Sequence, residues 1–291
     1  MKPGQTLKGV ARDLAAAKAL DAEWPLVALA RVRGVDRAIK AGNYEIEQGV
    51  TLPGLLKQLT QGEVTQSALT IVEGSTFADL KGQLAQDPAI AKGTPPLADA
   101  ELMTKLGAQG ASPEGWFFPE TYFFASGAPD IAVLTRAHRL MRNRLDAAWT
   151  KRDPDLPLKS PYEALILASI VEKETARAAD RPLIASVLVN RLKAGMRLQA
   201  DPTVIYGLGA RFDGNLRKRD LEADTPYNTY TRDGLPPTPI ALPSQASLDA
   251  VTRPPATGYL YFVSRGDGTS EFSTNLADHN RAVAKFQKGG P

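Results

Sequence analysis

Two glutamates stand two residues apart at the end of an apolar run, Ala168-Ser169-Ile170-Val171-Glu172-Lys173-Glu174-Thr175. A carboxyl group held against apolar neighbours loses its water, so its pKa rises. It then stays protonated near neutrality and can act as a general acid. The helix carrying the run has a clear start, because Ser160-Pro161-Tyr162-Glu163 is a capping box with proline at the first helical position. At about 100° per residue, Ala164, Leu167, Ile170 and Val171 share one face. Glu174 falls inside that face, whereas Glu172 lies about 160° away from it, on the margin. The spacing therefore singles out Glu174. Two readings stand at this point: an acid–base group, or a buried carboxylate paired with an arginine such as Arg177 or Arg197.

Cleavage of a glycosidic bond usually employs two carboxylates. Glu172 points to a different side of the same helix and cannot partner Glu174. Asp201 and Glu222 are the possible partners, and nothing in the sequence fixes their distance. One carboxylate suffices where the sugar supplies its own nucleophile. A single Glu then protonates the leaving oxygen and deprotonates a hydroxyl of the same sugar. Three stretches following the glutamates, 196–207, 225–230 and 234–239, are dense in Pro, Asn, Thr and Tyr. They read as irregular loops between solid helices, the usual setting of a binding cleft.

Several elements must position these groups. One pattern recurs three times: Gly4-Gln5-Thr6-Leu7, Gly49-Val50-Thr51-Leu52 and Gly74-Ser75-Thr76-Phe77. In each copy glycine ends an extended segment, threonine is placed to N-cap a helix, and apolar residues follow at helical spacing. Strands are expected at Asn43–Ile46 and Ala68–Val72, and helices at about 7–17 and 23–33. Gly62-Glu63-Val64-Thr65 is a plausible boundary, and Gly93-Thr94-Pro95-Pro96 a loop. An aromatic segment broken by proline follows at 114–122, then a long amphipathic helix over 130–150. A helix over about 182–194 has Asp180 and Gly195 as caps. Gly266-Asp267-Gly268 between 259–263 and 271–273 signals a hairpin, and a closing helix runs from about Asn280.

The chain of 291 residues, 43% of them apolar, suffices for one large domain or two. Cysteine is absent, which excludes disulfides and thiol nucleophiles. His138 and His279 lie far apart and show no metal-ligand spacing. The net charge of +3 is spread among acids, with no basic stripe of the kind that binds nucleic acid. No signal peptide or membrane-spanning stretch appears. The opening MKPGQTLKGV reads like the interior of a longer, membrane-anchored protein behind a new start methionine.

The stretches ILASIVEKET, IASVLVNRL, GMRLQADPTVIYGLG, TPYNTYTRDGLPPTPI and YLYFVSRGDG followed by EFSTNLADHN occur in that order. With VEGSTFADL and EGWFFPETY they closely resemble the YceG-like endolytic murein transglycosylases over about residues 68–286. The opening PGQTLKGVARDLA resembles the LysM-like unit of the same family. The resemblance implies an α+β fold, with a small LysM-like subdomain over 1–65 and a larger mixed α/β catalytic domain over 66–291. It puts the catalytic glutamate on a core helix, and the second glutamate of Glu-Lys-Glu-Thr falls on Glu174, in agreement with the helical spacing. It implies cleavage of the bond between N-acetylmuramic acid and N-acetylglucosamine in peptidoglycan, without water, leaving a 1,6-anhydromuramic end.

Gln199, Asp201, Thr203, Tyr227, Asn228, Thr229 and Tyr230 would line the cleft, and no cofactor or metal is implied. The expected partners are peptidoglycan strands and the peptidoglycan synthases known as penicillin-binding proteins. The expected location is the periplasmic face of the inner membrane, by way of an N-terminal helix that this sequence lacks. Ala200 stands where the family commonly has Ser or Thr. A non-catalytic wall-binding scaffold, and a hydrolase using Glu174 and Asp201, remain as alternatives.

Overall fold

The computed structural model describes residues 5–17, 19–40, 46, 50–61, 66–91 and 98–287. The glycines at 4 and 49, most of the expected strand at 43–46, the boundary at 62–65 and the loop at 93–96 lie outside the described residues. The chain forms two compact units, neither continuous in sequence. One comprises residues 1–69, 84–95 and 121–133, and the other 70–83, 96–120 and 134–291.

The first unit opens with three helices, α1 (Leu7–Ala16), α2 (Trp24–Val32) and α3 (Leu52–Gln61). The threonines do what their position suggests. Thr6 accepts from the Gly9 N–H and Thr51 from the Gly54 N–H, both at 3.3 Å. Each hydroxyl satisfies a donor that the first helical turn leaves unpaired. The apolar faces close on a core of Leu7, Val10, Ala11, Leu26, Ala30, Leu55, Leu56 and Leu59, all contributed by residues before 60. Strands β1 (Gln66–Thr70) and β2 (Thr121–Ala125) form a two-stranded sheet. β1 begins two residues earlier than expected, and β2 starts at the end of the aromatic stretch and runs past it, where no strand was foreseen.

The second unit is mostly helical. α4 (Phe77–Gln86) starts there with the third threonine cap: the Asp79 N–H donates to the Thr76 hydroxyl at 3.1 Å, and Asp79 accepts from the Thr76 N–H at 2.9 Å. Then come α5 (Asp99–Lys105) and α6 (Asp130–Thr150), the latter with the expected bounds. α7 (Pro161–Glu174) is the centre of the unit and packs against α8 (Arg181–Lys193) and α11 (Gln245–Thr252). The Ser160 hydroxyl accepts from the Glu163 N–H at 3.2 Å, so the expected N-cap forms, but the Glu163 carboxylate accepts from the Lys159 N–H at 2.6 Å instead of the Ser160 N–H, and the reciprocal half of the capping box does not. Every residue of α7 from Ala164 to Val171 is buried. The helix is thus enclosed on all sides, and the single apolar face read from its spacing is too narrow a description.

Two further expectations change. Residues 201–208, read as loop, are the helix α9 (Asp201–Leu208), with Pro202 in its first turn where the missing N–H costs nothing. A 3₁₀ turn at Gly209–Arg211 and the short α10 (Lys218–Glu222) follow. The hairpin does form, from β3 (Tyr261–Ser264) and β4 (Ser270–Ser273), paired antiparallel with Tyr261 opposite Ser273. α12 (Leu276–Phe286) starts earlier than expected because Asn275 caps it. Gly115, at φ 84°, is needed where it stands: a Cβ there would sit 2.6 Å from Pro239.

Because the α1–α3 core draws only on residues before 60, a chain starting at residue 66 is expected to keep the cooperative unfolding transition of the second unit. Scanning calorimetry of the two chains checks this. Loss of that transition in the shorter chain would show that the second unit depends on the first.

Candidate active site

Glu172 and Glu174 end α7 in opposite circumstances. Glu172 is enclosed, with its side chain only 5% exposed. It accepts from Arg181 Nη2 at 3.1 Å, from the Ser244 N–H at 2.9 Å, from the Ser244 hydroxyl at 2.5 Å and from the Ser247 hydroxyl at 2.7 Å. The placement of Glu172 on the margin of the helix is therefore corrected. It faces α8 and α11, whose first turns supply its donors, and every one of its bonds is structural.

Glu174 instead opens onto a cleft of about 910 Å³. It is half-buried, but the protein around it is dense. Burial raises its pKa from an ordinary 4.5 to about 8, the charge of Asp201 adds to the rise, and Arg191 opposes it. Neither arginine considered as its partner takes that role. Arg177 pairs with Asp180 at 3.1 Å and Arg197 with Asp233 at 2.9 Å.

Asp201 lines the same cleft from the first turn of α9 and accepts from the Tyr230 hydroxyl at 2.5 Å. Burial and this carboxylate together hold the Tyr230 phenol above its usual range. Gln199 also lines the cleft, in a left-handed conformation at φ 50° that is unusual for a residue with a side chain. Its Oε1 accepts from Arg191 Nη1 at 3.2 Å. Of the residues expected on the cleft, the structure thus brings together Glu174, Gln199, Asp201 and Tyr230.

The other four sit behind that surface. The Asn228 amide donates to the carbonyls of Asp220, Leu221 and Ala223, and its oxygen accepts from the Tyr230 N–H. With its side chain so engaged and no exposed surface, Asn228 shapes the loop instead of offering hydrogen bonds to a ligand. The Thr203 and Thr229 hydroxyls lie 2.9 Å apart, both buried. Tyr227 packs edge-on against Tyr206, and its hydroxyl meets Thr238. Glu222 lies off the cleft beside Lys218, 3.5 Å away.

Sequence reasoning missed Arg191. It lies inside α8 and is nearly buried, donating from Nε to the Leu260 carbonyl at 2.7 Å and from Nη1 to the Leu198 carbonyl at 2.9 Å. The available signal was an arginine following Leu188-Val189-Asn190, a place where no solvated charge belongs. The hairpin side of the cleft, with Ser264, Thr269 and Ser270, and His279 on α12 were also missed. A second carboxyl with raised pKa, Glu114 at about 7 through burial, is held by the Phe77 N–H and the Tyr206 hydroxyl and does not line the cleft.

A desolvated carboxyl on an open cleft lined by both polar and apolar side chains has the chemistry of an acid–base site. The comparisons agree with that class. The model of the YceG-like family matches residues 1–285, and the chain belongs to that family. Relatives named endolytic murein transglycosylase make it a family of lytic transglycosylase enzymes. The one from Bacillus subtilis is 32% identical over 264 residues, covering 85% of this chain and 73% of its own. The one from Streptococcus pneumoniae D39 is 30% identical over 283 residues, and the match spans half of its length. The crystal structure of a yceG-like protein from Listeria monocytogenes superposes with a TM-score of 0.62 at 28% identity, covering 97% of both chains.

Two outcomes separate the glutamates. Glu172→Gln removes a charge from a buried ion pair and should destabilise the fold by about 2–4 kcal/mol. Glu174→Gln should not destabilise it, which thermal melts of both variants check. For Glu174 the folded pKa stands above the unfolded one, so its contribution to stability is complete below pH 4.5 and is lost as pH rises through about 8. The melting temperature of Glu174→Gln, relative to the parent, is expected to climb between these pH values and level off above. A difference that stays flat across this range would contradict the raised pKa.

Proposed function

We propose that this chain is an endolytic peptidoglycan transglycosylase that uses Glu174 as its only acid–base group. The observation that carries the reading is the state of that carboxyl: it lines the cleft, and burial keeps it protonated near neutrality. Glu174 first donates its proton to the oxygen between N-acetylmuramic acid and N-acetylglucosamine as that bond breaks. The resulting carboxylate, eased by the nearby positive charge of Arg191, then takes the proton of the muramic C6 hydroxyl. O6 closes on C1, and the strand ends in a 1,6-anhydro sugar. No water enters the balance. Such a reaction would terminate glycan chains during wall assembly.

Peptidoglycan lies outside the cytoplasmic membrane, and so would this cleft, on the periplasmic side where the synthases work. Among the described residues no helix is long and apolar enough to cross a membrane. The first unit, with its LysM-like opening, would add grip on the wall, while Thr203, Tyr227, Asn228 and Thr229 would support the cleft from behind.

One observation favours a second reading. Asp201 shares the cleft with Glu174 and could activate water, which would make the enzyme a hydrolase. Its link to Tyr230 argues for a positioning role instead. Mass spectrometry of glycan strands digested in ¹⁸O-labelled water decides between the two. The expected products are lighter by one water and free of label. Glu174→Gln should lower turnover by at least roughly 10²–10⁴-fold, the usual worth of general acid–base catalysis, and Asp201→Asn by much less. Labelled reducing ends, with both variants equally dead, would establish the hydrolase.

A further inference from the structure

The same cleft is lined by a side chain that the proposed reaction leaves unused. His279 lies in the first turn of α12, which is fixed by its cap. The Asp278 N–H donates to Asn275 Oδ1 at 3.0 Å, and Asn275 Nδ2 donates to Asp278 Oδ2 at 2.9 Å. The imidazole stacks on Tyr261 with centroids 5.1 Å apart and planes 24° apart. The Arg191 guanidinium lies 5.1 Å from the same Tyr261 ring, so the stack is itself anchored by a cation that carbonyls hold in place. His279 is therefore oriented by three elements: α12, β3 and α8.

Its two nitrogens differ. Nδ1 is fully enclosed and has no hydrogen-bond partner, although the side chain lines the cleft. A neutral imidazole has one N–H and one bare nitrogen. Buried N–H groups without an acceptor are rarer than under-satisfied acceptors, so the enclosed Nδ1 is the bare nitrogen and Nε2 carries the proton. Burial and the positive charge of Arg191 lower the pKa of the ring, which favours its neutral form. A packing-only histidine would have no need of a ring so firmly oriented at the edge of a ligand cleft.

We propose that His279 is a substrate-binding residue of this cleft, its Nε2–H donating to an acetamido carbonyl oxygen of the glycan that Glu174 cleaves. That oxygen accepts and never donates, which matches a neutral ring with one fixed proton. Ser264, Thr269 and Ser270 line the same cleft, and residues of this type suit sugar hydroxyls. The assignment rests on the glycan-cleaving reading of the cleft.

Three substitutions in the full chain test it. His279→Gln puts an amide N–H near the position of Nε2, His279→Asn puts one near the enclosed Nδ1, and His279→Phe keeps the stack with no donor. On soluble N-acetylated glycan strands, Asn and Phe are expected to raise KM about tenfold, the worth of one neutral hydrogen bond. Gln should stay within about threefold, and kcat should change little in any of the three. Calorimetric binding of the same strands to Glu174→Gln, with and without each substitution, should give the same order of affinities without relying on turnover. Equal KM values for Gln, Asn and Phe, in variants that melt like the parent, would reduce His279 to a packing residue and overturn the proposal. Turnover that survives in Glu174→Gln while the order of affinities holds would break the reaction reading and leave the binding site standing.

Discussion

The geometry of the cleft depends on a carboxylate that takes no part in its chemistry. Glu172 gathers four donors from the first residue of α8 and the first turn of α11, and so pins three helices together where α7 ends. A charge at that depth is tolerable only because each of its oxygens is answered, with Arg181 completing the pair. Two residues further along, the last side chain of the helix has no such partners. Helix ends fray unless something holds them. Here the anchor holds the final turn rigid, so that Glu174 projects into the cleft from a fixed base.

Arg191 shows the complementary economy. A buried guanidinium near a glutamate would ordinarily form an ion pair and drive the acid to ionise. In this chain the guanidinium is satisfied by the carbonyls of Leu260, Arg197 and Leu198 and by the side-chain oxygen of Gln199. Its charge reaches Glu174 only at a distance. The same bonds tie the start of the hairpin to the loop before α9 and hold Gln199 in its left-handed conformation. One side chain thereby fixes two walls of the cleft without neutralising the acid between them.

Much of this was legible in the residues, for identifiable reasons. The three threonine caps, the serine N-cap at Ser160 and the hairpin turn at Gly266-Asp267-Gly268 are local devices, settled within four or five residues, and local devices can be read one at a time. The spacing singled out Glu174, which the structure places on the cleft, although the helix proved to be buried all round. What escaped was whatever depends on distant partners. Glu172 looks marginal on a helical wheel, because its donors come from residues 181, 244 and 247. Asn228 looks like a sugar ligand until the carbonyls it binds are in view. Residues 201–208 look like loop because a proline stands second, although that position tolerates one. The division into two units interleaves segments from before and after residue 120, which no boundary signal in the chain records.

The two charges that bear on Glu174 come from different helices and have opposite sign. Only one of them is free to change. Arg191 is committed to four acceptors, and replacing it would unmake the walls. Asp201 lies on the exposed first turn of α9, bonded to a single phenol. The acid strength of the site can therefore drift through Asp201 and Tyr230 while the acid itself, and the scaffold that aims it, stay the same. A change confined to that pair would alter how readily Glu174 gives up its proton while leaving the carbonyl bonds of Arg191 in place.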